Sequence, residues 1–354
     1  MNMGNNFKMV AKTLFGFEEL LSKELRNLGA SNVVEGVRNV SFEGDNGFMY
    51  KANLCLRTAI KIIKPIHSFR VRDENDLYKK IYAMDWTEYL SVSETFAIDA
   101  TVNSDQFTHS LYVSQKTKDA IVDKFRDTDC TRPDVDVKDP DLRINIHIHN
   151  NECNVSLDSS GYSLHKRGYR TATNIAPINE VLASGLLLLS GWDGQCDFMD
   201  PMCGSGTMLT EAAMIACNIP ANINRKSFAF EKWTDFDAEL YEKIVESSLK
   251  KTREFHYKII GYDKAPSAVR KAQDNIENAH LEDYISVERK DFFRTTKQTE
   301  GTLHMCFNPP YGERLDIEME NFYSAIGDTL KQGYPGTNAW FVTSNLPALK
   351  FVGL

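Results

Sequence analysis

Apolar residues recur at helical spacing in Phe17–Leu28, where Leu20, Leu21, Leu25 and Leu28 form one stripe and Gly29 supplies a stop. That segment predicts an amphipathic helix, and Leu111–Phe125 predicts a second. Val37–Phe42 and Phe96–Val102 read as strands. Arg143–Ile148 alternates strictly, with Ile144, Ile146 and Ile148 on one side and Asn145, His147 and His149 on the other. The first 160 residues therefore describe an α+β module. Beyond them the period changes. Strands are expected at Gln195–Met199, Lys258–Tyr262, Ile285–Lys290, Leu303–Phe307 and Ala339–Thr343. Helices intervene at Ile178–Ser190, Met208–Cys217, Ser267–Ala279 and Met319–Lys331, with an extra helix across Phe236–Phe255 lengthening the first crossover. Strands alternating with helices mark a parallel sheet covered on both faces. Between the halves, Ser159–Thr173 reads as a linker carrying the basic-aromatic cluster His165, Lys166, Arg167, Tyr169 and Arg170.

At 354 residues the chain exceeds what one core organises, so two or three domains are expected. With 42% apolar and 25% charged residues it has the profile of a globular protein, not of a disordered or disulfide-framed one. The net charge of -8 argues against a sequence-blind nucleic-acid coat. It leaves room for a local basic patch, and residues 51–80 carry eight Lys or Arg against three acids. The six Asp within residues 127–141 are read as a solvated face. No apolar run approaches the length of a membrane span, and the N-terminus lacks a signal peptide's basic and apolar regions. The seven cysteines form no C-x-x-C pair, so neither zinc nor a disulfide framework is expected, and a reduced cytoplasmic compartment is the simplest setting. His147 and His149 lack a third metal ligand nearby and are read as solvent-facing strand residues.

The chemistry gathers at strand ends in the second half. The first strand runs into Asp200-Pro201-Met202-Cys203-Gly204-Ser205-Gly206-Thr207 and then a helix. Two glycines let the backbone turn tightly and approach a ligand, and the helix start offers free N–H groups. No lysine follows Gly206, which excludes a phosphate-binding P-loop, and Leu209 stands where a dinucleotide fingerprint needs Gly or Ala. An acid at Asp200 repels a pyrophosphate but suits a ligand bearing an ammonium and a sulfonium, which points to S-adenosylmethionine. Asp263, ending the second strand, can accept both ribose hydroxyls. Asp291, ending the third, can accept from an adenine amine while Phe292 packs on the ring. Each acid alone could equally be a helix N-cap. The fourth strand ends in Asn308-Pro309-Pro310-Tyr311-Gly312. There an amide oxygen and the Pro309 carbonyl can accept from an exocyclic amine, and Tyr311 can stack a flipped base.

This loop resembles the N/D-P-P-Y/F/W loop of class I S-adenosylmethionine-dependent amino-methyltransferases. Leu164-His165-Lys166-Arg167-Gly168-Tyr169-Arg170 followed by Ala176-Pro177-Ile178-Asn179-Glu180 resembles the segment before the catalytic domain of THUMP-domain RNA methyltransferases, with the 23S rRNA guanine-N2 branch most similar. The resemblance implies an α/β chain: a Rossmann-like class I methyltransferase domain over 161–354, preceded by an α+β region with a ferredoxin-like segment at 1–44 and a THUMP RNA-binding region at 45–157. It implies catalysis by Asn308, Pro309, Pro310 and Tyr311. Cofactor binding would fall to Asp200, Pro201, Cys203, Gly204, Gly206, Thr207, Asp263, Lys264, Asp291, Phe292 and Asn308. The substrate would be RNA, 23S rRNA or a ribosome-assembly intermediate, gripped by Arg57, Lys61, Lys64, Arg72 and the 165–170 cluster, with no metal and no membrane. Family members continue past the fifth strand into a helix and a closing hairpin, so a truncated C-terminal end is expected here. The alternatives left open are an adenine-N6 methyltransferase, a tRNA guanine-N2 methyltransferase and a catalytically inert RNA-binding assembly protein.

Overall fold

The computed structural model describes residues 6–171, 177–310 and 319–353. The chain divides into two compact units, residues 1–164 with 226–245, and residues 165–225 with 246–354.

The first unit is built on one eight-stranded sheet. Its elements in chain order are β1 (Phe7–Thr13), α1 (Glu18–Leu28), β2 (Ser31–Gly36), β3 (Asn39–Gly44), α2 (Asn46–Cys55), β4 (Ala59–Arg70), α3 (Glu74–Tyr82), β5 (Thr95–Asn103), α4 (Ser110–Asp129), β6 (Asp134–Val135), β7 (Leu142–His149) and β8 (Glu152–Asp158). The sheet order is β2-β3-β1-β4-β8-β7-β5-β6. The twelve-residue strand β4 carries the sheet through: it pairs with β1 through Ala59–Ile63 and with β8 through Ile63–Arg70, both antiparallel. A bulge follows Pro65, where the missing N–H interrupts a regular ladder. α1 forms as its apolar stripe requires, with Leu21 and Leu25 fully buried and Gly29 closing it in a left-handed conformation. Ile144, Ile146 and Ile148 are fully buried in a core shared with Leu77 and Ile81 of α3 and Ile121 and Phe125 of α4, as the alternation in β7 predicts. His149 is exposed and His147 half-buried, their rings within 7° of parallel and 6.5 Å apart. No group of three metal-ligating side chains occurs among the described residues.

The predicted extra helix is α7 (Ala238–Leu249), shorter than Phe236–Phe255. Most of this region belongs with the first unit. Phe228, Phe230, Phe236 and Tyr241 pack around Tyr50 of α2, with the Tyr50 and Phe230 rings stacked at 4.5 Å. Spacing along the chain shows a helix but not which core its aromatic flank joins.

The second unit holds α5 (Glu180–Leu189), β9 (Asp197–Asp200), α6 (Thr207–Ala216), β10 (Ile259–Asp263), α8 (Pro266–Asn278), β11 (Ile285–Arg289), β12 (Leu303–Phe307), α9 (Met319–Gly333) and β13 (Thr337–Phe341). All five strands are parallel, in the order β11-β10-β9-β12-β13. Successive crossovers lead from β9 one way to β11 and from β12 the other way to β13. The reversal between β9 and β12 is a topological switch point, where open α/β sheets bind ligands beyond the carboxyl ends of their strands. Asp200 ends one of these two strands and Asn308 follows the other. The predicted strands and helices are all present, displaced by no more than two residues at most ends. No helix is long and apolar enough to cross a membrane among the described residues.

Candidate active site

The loop between β9 and α6 takes its shape from two glycines. Gly204 and Gly206 adopt φ of +55° and +79°, a left-handed conformation that side chains with a Cβ rarely accept. Gly206 is also the N-cap of α6, and a Cβ there would lie 3.1 Å from that of Ala272. Backbone bonds tie the loop to the neighbouring strand end. Cys203 N donates to Tyr262 O at 2.9 Å, and Gly204 N to the Asp263 carboxylate at 3.0 Å. Gly261 brings β10 close, since a Cβ would sit 3.2 Å from Cys203 Sγ and 2.4 Å from Leu209 Cδ1. Burial pushes the Cys203 thiol well up, so it packs as a neutral group.

The three strand-end acids occupy different environments. Asp200 is 2% exposed and accepts Met202 N at 3.0 Å. Burial pushes its carboxyl up to about 8, with the charge of Asp263 adding to the rise. Asp263 is half-buried and uses both oxygens on backbone, Oδ2 on Gly204 N and Oδ1 on Ala265 N, which leaves lone pairs for further donors. Asp291 is half-buried and caps the turn at Phe292–Arg294 by accepting Phe293 N at 3.2 Å. The N-cap role that a lone acid suggests is therefore real at this position. Lys264 is exposed beside Asp263. Phe292 departs from expectation: it is 2% exposed, its ring held against Phe307 and Tyr334 in the core, and presents no open face to a ligand.

The raised Asp200 pKa has a testable sign. Its folded value lies above the ordinary 3.8, so the stability gained by keeping it neutral is full below about 4 and is lost as pH rises toward 8. A cationic ligand favours the ionised form, so binding near neutrality releases a proton. We expect S-adenosylmethionine affinity to rise between pH 6 and 8 and level off above. Asp200→Asn should flatten that profile in calorimetric titrations, and an unchanged slope would rule the linkage out.

At the end of β12, Asn308 is half-buried, Pro309 buried and Pro310 half-buried. Asn308 Oδ1 is itself buried and has no hydrogen-bond partner among the described residues. Buried carbonyl oxygens are almost always paired, so this one has acceptor capacity that the described residues do not use. Tyr311, expected to stack a base, lies outside the described residues, as do Gly312 of the same motif and Ala176.

The expected RNA-gripping residues fare differently. Arg57 is buried. Lys61 pairs with Asp158 at 2.6 Å and Asp99 at 3.2 Å. Lys64 lies over the Phe7 ring at 4.3 Å and 3.8 Å from Asp235. Of these four, Arg72 keeps an exposed side chain, at 88%, and in the 165–170 cluster Lys166 is exposed. The basic count of residues 51–80 thus overstates the free charge, because Arg57 is buried and Lys61 and Lys64 are half-buried beside acids of the same unit.

The 165–170 cluster is likewise no free linker. Arg167 is 1% exposed and lies 3.5 Å from Glu211 of α6, and its Nη1 donates to Asn222 at 3.1 Å. The buried Tyr169 hydroxyl donates to Glu211 at 2.9 Å. Arg170 Nε lies 3.0 Å from Glu180, whose carboxyl is pushed up to about 7 by burial and held down by that guanidinium. Glu211 and Asn275 escaped sequence reasoning, because their importance lies in partners distant along the chain, and Glu180 entered only as part of the resembling segment.

Comparison with known proteins places these features in a wider set. Residues 167–352 match the family model for an RMKL-like methyltransferase domain, residues 71–158 a THUMP domain and residues 8–63 an RlmL ferredoxin-like domain. A Synechocystis protein named as a candidate RNA methyltransferase is 36% identical over 96% of this chain and 89% of its own length. Proteins named ribosomal RNA large subunit methyltransferase K/L, from Syntrophotalea carbinolica and Cellvibrio japonicus, are 35% and 36% identical over 98% and 96% of this chain. The chain spans about half the length of these two, 50% and 47%. Among solved structures, SMU.472, described as a candidate methyltransferase and solved with S-adenosylhomocysteine (SAH), aligns with a TM-score of 0.88 at 30% identity, covering 99% of this chain and 93% of its own. A Listeria monocytogenes protein, described as a predicted N6-adenine-specific DNA methylase, aligns with a TM-score of 0.89 at 28% identity over 99% and 92%.

Proposed function

Because the chain belongs to the RMKL-like methyltransferase family, with RlmL ferredoxin-like and THUMP domains before the methyltransferase domain, we propose that it methylates the exocyclic N2 amine of a guanine in 23S ribosomal RNA. The methyl donor is S-adenosylmethionine, which when bound supplies a methyl group activated on a sulfonium. The chain's own residues suit that ligand. Gly204 and Gly206 keep the loop clear of side chains, the α6 start offers amides, Asp200 supplies a carboxylate that a cation would ionise, and Asp263 retains acceptor capacity.

The observation that carries the reading is the buried oxygen of Asn308 at the switch point, unpartnered among the described residues. An exocyclic amine would supply a donor to this acceptor. Accepting one N–H there, with a second at the Pro309 carbonyl, would hold the nitrogen with its lone pair free to attack. The proton can leave after attack, so the scheme assigns no dedicated base. Tyr311 is assigned the stacking role, and the THUMP region RNA recruitment, through residues such as the exposed Arg72. Work on ribosomal RNA or an assembly intermediate sets the enzyme in the cytoplasm.

The experiment is methyl transfer to in vitro transcribed 23S rRNA, followed by nucleoside mass spectrometry. N2-methylguanosine is expected. The same acceptors would serve adenine N6, a reading that the description of the Listeria relative favours. N6-methyladenosine as the product would sink the guanine assignment and establish the adenine one.

A further inference from the structure

The segment Tyr169–Thr171, basic and aromatic in sequence, reaches the glycine loop from two directions. Arg170 Nη2 donates to Thr207 Oγ1 at 2.7 Å and to Ile178 O at 2.9 Å, while its Nε lies 3.0 Å from Glu180. Nη2 therefore serves two acceptors while the same planar group is ion-paired with Glu180, a combination that a lysine ammonium matches poorly. The next residue works through α8. Thr171 N donates to Asn275 Oδ1 at 3.1 Å, and Asn275 Nδ2 donates to Ser205 O at 3.0 Å. Asn278 fixes the Thr171 hydroxyl at 2.8 Å. Asn275 is 1% exposed, so these bonds face little competition from water.

The two endpoints, Ser205 and Thr207, flank Gly206 on either side. Glycine loses more backbone entropy on ordering than any other residue, and this loop orders two of them in the left-handed region. A loop left to itself would meet that cost at the moment of ligand binding, with a loss of affinity. Bonds that fix Ser205 and Thr207 beforehand remove it.

We propose that Arg170 and Asn275 are positioning residues for the S-adenosylmethionine loop, holding Gly204–Thr207 in its binding conformation through the Thr207 hydroxyl and the Ser205 carbonyl. The proposal rests on the reading of this loop as the cofactor site. It gives Arg170 a cofactor-loop role in place of the RNA grip that the composition of the 165–170 cluster suggests.

The test measures SAH dissociation constants by calorimetry on the full chain. Arg170→Ala and Asn275→Ala should each weaken SAH about tenfold, the scale of one lost hydrogen bond to a charged or buried group. Arg170→Lys should recover part of the loss. Thr207→Val, which keeps the shape and removes the acceptor, should weaken binding alone but add little to Arg170→Ala, because the two share one bond. In Arg170→Ala and Asn275→Ala the loss should fall on KM for S-adenosylmethionine rather than on kcat, and filter binding of 23S rRNA should not change. SAH affinity within twofold of wild type in both alanine variants would overturn the proposal. So would weakened RNA binding with unchanged SAH affinity, which returns the cluster to the RNA. If Arg170→Ala does not fold, Arg170→Lys and Thr207→Val carry the same comparison. A wild-type chain that binds no SAH overturns the cofactor assignment itself, a different outcome from wild-type binding that the variants match.

Discussion

Asn308→Ala is expected to lower kcat by roughly 10³-fold, at the upper end of the loss caused by removing one aligned hydrogen-bonding group from an active site. The amide oxygen is buried and unpartnered among the described residues, so removing it breaks no bond within them. The variant should therefore fold normally and bind SAH within about threefold of wild type, the difference remaining well under one tenfold step in affinity. Asn308→Asp keeps an oxygen acceptor at the same place and should lose less activity than the alanine variant. The measurement is single-turnover methyl transfer alongside SAH titration. Undiminished turnover in Asn308→Ala would remove the proposed role of the loop. A parallel collapse of SAH binding would move Asn308 from holding the amine to holding the cofactor.

The largest stability effect is expected at Glu211. Its carboxylate is fully buried and accepts from the Tyr169 and Ser184 hydroxyls, with the Arg167 guanidinium beside it. Glu211→Leu strands a buried arginine with Asn222 as a neutral partner, and breaking such a pair from one side costs about 3–5 kcal/mol. Replacing both charges, Arg167→Met with Glu211→Leu, removes the stranded charge and should recover most of the loss. Trp192 gives the readout, since its indole N–H bonds the Ala212 carbonyl one residue from Glu211. Urea titration followed at that fluorophore should show the single variant far below wild type and the double variant close to it. A single-variant loss under about 1 kcal/mol would mean that the pair is solvated rather than buried.

The second unit was legible because its signals are local. Each strand is short, each helix periodic, and the acids and the Asn-Pro-Pro run stand at strand ends in chain order. The first unit was less so. β4 interleaves Lys61 and Lys64 with apolar residues, so its lysines registered as a basic patch before the strand did. Their charges are answered by Asp158, Asp99 and Asp235, as many as 171 positions away. The same limit hid the fate of residues 165–170. Composition counts a guanidinium alike whether water or Glu211 surrounds it, and only tertiary structure separates the two. Phe292 went astray for a related reason: a ring beside an acid at a strand end can turn to the ligand or to the core, and Phe307 and Tyr334 decide for the core.

The excursion of Lys226–Val245 into the first unit limits how this enzyme can be cut. A catalytic fragment started at His165 would lose Tyr50 and the other core partners of Phe228, Phe230, Phe236 and Tyr241. Those rings would face solvent together, an apolar patch of the kind that drives aggregation. Insolubility of such a fragment would thus report on this misplaced aromatic stretch, not on the methyltransferase core, and charged replacements at Phe228 and Phe230 should restore it to the soluble fraction. For expression and for inheritance alike, the smallest sound catalytic piece includes the first 164 residues.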